Sequence, residues 1–432
     1  MSQPLPVGGF KFLSKGDIKK IDFTRVPDDG EVGYMLEVDL LYPPELHDLH
    51  NDLPLAPESM VVQEEMLSPY QLQMKESLGL KSSNRIAKLI PNFYPKHKYV
   101  LHYRNLKFYL EQGLILTKIH RVIRFEQKPW IRPYIEFNTR KRQEATSSSG
   151  KDFFKFMNNS MFGKTMENLR KQCQIKLASS AKTAHNYVAK PNFQSFHQIN
   201  EELVAIRMRQ VRIKWDKPSF TGACVLDLAK LHLYNFHYNI MKKKYGQNLT
   251  LLFTDTDSLC YHIVTKDLYS DMDSFKDRMD TANFPRDHPC YSLRNDRRIG
   301  YFKDECAAVQ PMEFVGLRAK MYSLLMPEGH SDKQTAKGVQ RAYAKRHLKH
   351  MHFVGCLKRE KISKARFYNI RSKNHVLKTI AIIKESLSAY DDKRFILDDG
   401  IRSLSYGHRK IRELVSRSKF DGTPPPPPPP QN

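Results

Sequence analysis

The stretch LLFTDTDSLCYHI, Leu251–Ile263, limits what the chain can be, because an apolar run passes through polar residues carrying Asp255 and Asp257 and then becomes apolar again. Two short apolar runs around a polar centre read as a tight hairpin. Residues two apart in an extended strand share a side, so the two carboxylates are expected close together at the turn. Like charges held there repel, unless a divalent cation sits between them and a third carboxylate, bound by the hard oxygen ligands Mg²⁺ prefers. A calcium loop does not fit, since its sixth position would be Cys260 and its twelfth Lys266. An ordinary polar hairpin turn is the other reading of these letters.

Charge sets the partner class. Among 432 residues, 71 Lys and Arg oppose 46 Asp and Glu, a net +25, while hydrophobic residues at 40% and aromatics at 11% are enough to fold most of the chain. An excess of this size points to a polyanion, most commonly a nucleic-acid backbone, with an anionic membrane surface as the other option. No apolar run approaches the roughly 18 to 20 residues that span a bilayer, and MSQPLPVGGF lacks the apolar core of a signal peptide. The expectation is an intracellular protein without membrane partners. Its six cysteines are scattered singly, with no CxxC pair and no His at zinc-ligand spacing, which predicts reduced, packed thiols.

Periodicity and breakers place the elements. GYMLEVDLLYPPELH predicts a strand over Gly33–Tyr42, stopped by Pro43 and Pro44. YRNLKFYLEQG predicts a helix ended by Gly113, and LILTKIHRVIRF a strand. A helical pattern runs from Lys151 to Arg170, and GACVLDLAKLHLYNFHYNIMKKKYG predicts one long helix from Gly222 to Gly246 that leads into the acidic hairpin. Beyond Lys320 the chain is mixed and basic and predicts a separate smaller unit. DGTPPPPPPPQN, at 421–432, predicts an extended polyproline tail.

KDFFKFMNNSMFGKTMEN sets Lys151, Lys155, Asn159 and Gly163 at intervals of four, along one stripe of a helix with Phe162 beside them. Basic groups one turn apart can cradle a triphosphate, and Asn159, Phe162 and Gly163 leave a flat floor for a base pair. Phe153, Met157 and Met161 form a second stripe expected to be buried. An amphipathic helix with a solvated basic edge is the simpler reading of this segment alone.

Taken together these residues resemble the family B DNA polymerases. The family's KxxxNSxYG matches Lys155, Asn159, Ser160, Phe162 and Gly163, with Phe for Tyr; YxDTDS matches Phe253–Ser258; and KxY matches Lys320 and Tyr322. The order of the motifs and the segments PYIEFNTRKRQEA and NSMFGKTMENLRK look most like the protein-primed branch, and within it the polymerases of Polinton (Maverick) mobile elements. The resemblance runs from about Gly33 to about His408.

The resemblance implies an α+β right hand with an antiparallel palm, helical fingers and a small thumb. In these terms 1–32 is a lead-in, 33–60 the first palm motif, and 61–130 palm plus a terminal-protein-region-like insertion. The fingers are 131–174, a second insertion 175–215, the palm with its hairpin 216–325, the thumb 326–420, and the tail 421–432. It implies Asp257 and Asp255 as ligands of two Mg²⁺ ions, with Mn²⁺ as the alternative ion. Lys155, Lys151 and Arg142 would hold the triphosphate, and Lys320, Tyr322 and Ser160 would contact DNA. The partners implied are template and primer DNA, deoxynucleoside triphosphates and a terminal priming protein, with a nuclear site of action.

The first motif of the family, DxxSLYPS, is broken here. In LEVDLLYPPELH, counting five back from Tyr42 gives Glu37, and Asp39 is two residues on, on the same side of the strand. Asp39 is the preferred third ligand, Glu37 the alternative, and Tyr42 is expected to pack under the sugar or simply to be a buried strand aromatic. The family's exonuclease lies upstream of this motif, and the stretch before Gly33 is too short for one, so the chain is expected to be part of a larger product or to have lost editing. Two rivals follow: a DNA-binding remnant without catalysis, favoured by the broken motif, and a reverse transcriptase, disfavoured because YxDD is absent.

Overall fold

The structure is a computed structural model that describes residues 1–80, 86–358, 364–373 and 376–420, the last five by backbone alone. The polyproline segment expected at 421–432 lies outside the described residues. The fold is α+β.

Strands β1 (Leu5–Phe12), β2 (Val32–Leu41), β3 (Lys96–His102) and β4 (Ile115–Lys128) form an antiparallel sheet in the order β1-β4-β2-β3. Strand β2 ends ahead of Pro43 and Pro44, which have no N–H to give a ladder. Along it Leu36, Val38 and Leu40 are buried, so Glu37 and Asp39 between them stand on the opposite face. The four helices that build the body and the site are α1 (Tyr103–Glu111), α2 (Arg132–Glu144), α3 (Ser148–Thr165) and α4 (Ser219–Asn235). Leu106, Phe108 and Tyr109 of α1 and Cys224, Leu228, Leu231 and Tyr234 of α4 meet the buried face of the sheet at Leu36, Val38, Leu101, Val122 and Phe125. Each large apolar side chain buried there contributes roughly 1.5–3 kcal/mol. Helix α1 closes just before Gly113, whose φ of 94° lies in the left-handed region.

The single long helix expected over Gly222–Gly246 changes pitch. After α4 the backbone is π-helical over Phe236–Lys242 before a last short turn, Lys243–Tyr245. On this wider segment the Tyr238 hydroxyl donates to Leu53 O at 2.6 Å and His237 Nδ1 lies 3.0 Å from the Tyr261 hydroxyl, so the departure from α geometry comes with two satisfied buried polar contacts.

Between α3 and α4, strands β5 (Cys173–Ala178), β6 (Phe193–Asn200) and β7 (Leu203–Arg209) pair in the order β5-β7-β6 around a small core of Ala178, Ile206 and Met208. The acidic stretch is the hairpin β8 (Leu249–Asp255) and β9 (Ser258–Ile263). It is a ladder of its own rather than part of the first sheet, and it rests on that sheet's core through Leu251 and Leu259. A three-stranded sheet follows, β10 (Glu313–Arg318), β11 (Met321–Leu325) and β12 (Lys333–Ala336), and then a long hairpin, β13 (Lys364–Lys373) and β14 (Val376–Glu385).

The segment beyond Lys320, expected to be a smaller unit, shares part of its core with residues before it. Val315, Leu317 and Met321 share one core with Leu348, Phe353 and Leu387 and with Met74 from early in the chain. Further on, Tyr406 O accepts from Phe93 N at 2.8 Å, returning the C-terminal segment to the main body. A two-stranded ribbon with short helices buries too little to hold itself, so it borrows a core.

Burial pushes the imidazoles of His50 and His408 down to about 4, and those of His102 and His237 to about 3. In the unfolded chain these groups titrate near 6.5, so below that pH the unfolded state binds more protons and gains on the native one. Stability is therefore complete above about pH 6.5 and falls as pH drops toward 4, opposed in part by Asp227 and Asp391, whose carboxyl pKa values burial raises. The urea midpoint should fall steadily between pH 7 and pH 4.5, and His237→Phe should flatten that slope.

Candidate active site

At the tip of the β8–β9 hairpin, Asp255 pairs with Ser258, and Asp257 N donates back to Asp255 O at 2.7 Å. Thr256 between them has φ 62°. This is a γ-turn of the rarer positive-φ kind, at a β-branched residue for which such a φ is a true outlier. Strain of this sort, about 1–3 kcal/mol, persists only where surrounding structure holds it.

The turn sets Asp255 and Asp257 at its two ends, on either side of Thr256, rather than in one extended strand. Asp255 is half-buried, with Lys320 Nζ 2.9 Å from its Oδ1. Asp257 is exposed, and among the described residues its carboxylate makes no hydrogen bond or ion pair. Lys320 itself has φ 60° at the β10–β11 tip, so both hairpins turn through a left-handed non-glycine residue. Behind the ion pair, Phe253 of β8 stacks on Tyr322 of β11, ring centroids 4.2 Å apart and planes at 23°, with Phe314 next at 5.9 Å. Lys320 and Tyr322 thus meet the acidic hairpin directly.

On the open face of β2 the two candidate first-motif acids are held differently. Glu37 forms a two-pronged pair with Arg121, Nε to Oε2 at 2.6 Å and Nη2 to Oε1 at 2.9 Å, and those bonds hold its carboxyl below the usual range. Asp39 accepts from Lys98 N at 2.8 Å and has His120 Nε2 at 2.7 Å. The Lys98 amide first, and then His120, keep it ionised to lower pH than a free Asp. Tyr42 is buried at 6% exposure, its hydroxyl 2.7 Å from His50 Nδ1 and accepting from Leu55 N at 3.2 Å, with its ring edge-on to Phe93. Its hydroxyl is committed to the core.

The donors are of the kind Mg²⁺ takes; Asp39 lies against the His120 imidazole and Asp255 against the Lys320 ammonium, contacts that a divalent ion would replace. Among the described residues, no group of three or more His, Cys, Asp or Glu side chains is gathered closely enough to hold a metal ion. Asp39, Asp255 and Asp257 are thus not gathered into one such group.

Helices α2 and α3 pack side by side, with Asn158 Nδ2 3.5 Å from Thr139 Oγ1. Ser147 caps α3 by accepting from Gly150 N, and the helix stops at Thr165, short of the expected Arg170, where Asn168 starts a new turn by accepting from Arg170 N. Lys155, Asn159 and Gly163 are exposed on α3; Lys151, Phe162 and, near the end of α2, Arg142 are half-buried. The Ser160 hydroxyl donates to Met157 O at 2.9 Å, within its own helix. Phe153, expected in a buried stripe with Met157 and Met161, is 54% exposed, because only the C-terminal part of α3 reaches the body, where Met161 touches the main core.

The sequence carried no signal for Lys98, His120 and Arg121, which come to the acids across β3 and β4, Lys98 from 59 residues beyond Asp39 and Arg121 from 84 beyond Glu37. Gly222 was missed as well. A Cβ there would stand 2.3 Å from Met166 Sδ and 2.6 Å from Thr165 Oγ1, so the close approach of α3 to α4 requires glycine, whereas a Cβ on Gly163 would meet nothing within 4 Å.

No family model matches the chain, and no curated protein does. Among solved structures, the ternary complex of Phi29 DNA polymerase with primer-template DNA and incoming nucleotide is similar at 12% identity, over 90% of this chain and 55% of that one, with a TM-score of 0.49. The post-translocation binary complex of the same enzyme gives 13% identity, 89% and 55% coverage and a TM-score of 0.48. Its orthorhombic crystal form gives 13%, 88%, 64% and 0.43. The chain spans between 55% and 64% of the length of these structures. No helix among the described residues is long and apolar enough to cross a membrane.

The two glycines give opposite expectations. Gly222→Ala should destabilise by about 1–3 kcal/mol, the range for an overpacked contact. Gly163→Ala, in open space within a helix, should stabilise by about 0.5–1 kcal/mol. Urea unfolding of the two variants checks both signs.

Proposed function

We propose that the chain carries out template-directed DNA synthesis as a DNA-directed DNA polymerase of the protein-primed kind found in mobile elements. The first sheet and the β8–β9 hairpin would serve as palm, α2 and α3 as fingers, and the chain beyond β12 as thumb. The observation that supports this best is the meeting of Asp255 with Lys320 and of Phe253 with Tyr322, which joins two motifs that lie far apart in sequence.

In this reading Asp39, Asp255 and Asp257 would hold two Mg²⁺ ions, or Mn²⁺, whose bound charge lowers the pKa of the primer 3′-hydroxyl and stabilises the departing pyrophosphate. Glu37 is the weaker candidate, since both its oxygens are taken by Arg121. Lys155, with Lys151 and Arg142, neutralises the triphosphate from the α3 side and orients its α-phosphate for in-line attack. Asn159, Phe162 and the bare backbone at Gly163 form the floor under the new base pair. Tyr42, its ring fixed by His50 and Leu55, backs that floor from within the core. Lys320 leaves Asp255 for the primer backbone when DNA and nucleotide bind, and Tyr322 keeps the hairpins in register meanwhile. A terminal priming protein would supply the first hydroxyl.

A second reading, a DNA-binding remnant, is favoured by one observation: the acids of β2 and of the hairpin are each neutralised locally or stand alone, with no group of three assembled among the described residues.

Extension of a labelled primer with Mg²⁺ and deoxynucleotides separates the two. The wild type should extend; Asp257→Asn and Asp39→Asn should each lose at least ~10²-fold in rate while keeping salt-dependent DNA binding. Glu37→Gln should retain most of the rate. Salt-sensitive binding by a wild type that never extends a primer would establish the remnant instead.

A further inference from the structure

We propose that Asp52 and Arg394 are positioning residues for the β8–β9 hairpin: Asp52 holds the outer edge of its first strand, and Arg394 sets Asp52 by clamping the preceding residue to the C-terminal segment. The catalytic half of this statement rests on the polymerase reading; the mechanical half does not.

Strand β8 ladders with β9 on one edge only. On its other edge the Leu251 N–H is accepted by Asp52 Oδ2 at 3.1 Å, and Leu249 O accepts from Lys242 Nζ at 3.2 Å. Lys242 belongs to the segment that runs directly into β8, whereas Asp52 comes from the other side of the sequence and is the contact able to fix the strand against the main body. A carboxylate bond to an edge amide is charge-assisted, stronger than a neutral bond of the same length. Leu251 is also, with Leu259, one of the hairpin residues that pack on the main core, so it carries both a polar and an apolar attachment.

Asp52 is held in turn by its neighbours. Asn51 O accepts from Arg394 Nη1 at 2.8 Å and from Ser405 Oγ at 2.9 Å; the Asn51 amide accepts from Ser405 N at 3.0 Å and donates to Ser403 O at 3.0 Å. Leu53 O accepts from Tyr238. The Arg394 fork is filled by Ser403 Oγ at 2.8 Å, Ser405 Oγ at 2.7 Å and Ser403 O at 3.2 Å. Gln71, 1% exposed, donates to Arg394 O at 2.9 Å and to Asp391 O at 2.7 Å. A planar guanidinium with its donors used in fixed directions cannot shift without breaking several bonds at once. The result is a continuous polar chain from Gln71 through Arg394, Asn51 and Asp52 to the strand that ends in Asp255. Because a displacement of about 1 Å at a reacting centre can lower a rate by ~10²-fold, this chain bears on catalysis without touching substrate.

Hydrogen exchange of the full chain, read by mass spectrometry on a peptide covering Leu249–Asp255, tests the mechanical half, and primer extension tests the rest. Asp52→Ala should raise exchange in that peptide by roughly tenfold or more while the first sheet keeps its protection. Asp52→Asn, which retains an acceptor, should restore most of it. Arg394→Lys, and the milder Ser405→Ala, should raise exchange in the same peptide although neither residue touches the hairpin. In extension assays the same variants should lower kcat with KM for nucleotide unchanged. Wild-type exchange of the β8 peptide in Asp52→Ala or in Arg394→Lys would overturn the proposal, as would a rise spread evenly over the whole chain. If the wild type extends no primer, the polymerase reading fails and the exchange arm still decides whether the hairpin is held in this way.

Discussion

The ion pair between Lys320 and Asp255 is the contact on which the site depends, because it joins two hairpin tips that each turn through a left-handed non-glycine residue. Neither turn is the one its sequence prefers: a β-branched Thr and a Lys occupy positions where glycine would be free of strain. Such turns last when something outside them fixes the ends. Here the stacking of Phe253 on Tyr322 and the charge pair above it supply that restraint, and Asp52 supplies another from the opposite edge of β8. The two strained tips thus face each other with Asp255 and Lys320 paired and Asp257 left open.

Charge balance around the acids follows the same logic. Glu37 is closed off by both arms of Arg121, whereas Asp39 faces an imidazole and a single backbone amide. The first arrangement is hard to open, because a bidentate guanidinium pair gives up two bonds together. The second has a single imidazole contact and a single amide bond to exchange for a cation. Between two carboxylates on one strand face, the structure thus ranks them by how readily each can change partner, a ranking that the length of the side chain alone did not provide.

Much of the local structure was legible in the letters. The prolines after Tyr42, the glycine after α1 and the alternation in β2 are short-range signals, and each element lies where its signal put it. What was not legible is what depends on distant packing. The π-helical segment after α4, the exposure of Phe153, the shared core beyond Lys320 and the partners of Asp39 all depend on which distant parts of the chain do or do not come together. The acidic pair illustrates the limit: the hairpin was predictable from apolar runs around a polar tip, but the γ-turn at Thr256 between the two acids was not, since nothing in Thr-Asp-Thr-Asp favours a positive φ.

The net charge of +25 acquires a location from the fold. On α3 the basic stripe is exposed at Lys155 and flanked by half-buried Lys151 and Arg142, and the long β13–β14 hairpin carries Arg366, Arg371, Lys373, Lys378 and Lys384 on a ribbon with Tyr368, Ile370 and Leu377 exposed among them. Self-repulsion of this kind works against compaction and is relieved by a polyanion rather than by internal pairing. Several acids lie beside a basic partner, Asp28, Asp48 and Asp39 among them. Asp257 is the exception at the candidate site, an exposed carboxylate with no partner among the described residues, standing at a strained turn in a strongly basic protein. Under the proposed polymerase reading, the counter-ion of this unpaired charge would arrive with the substrate.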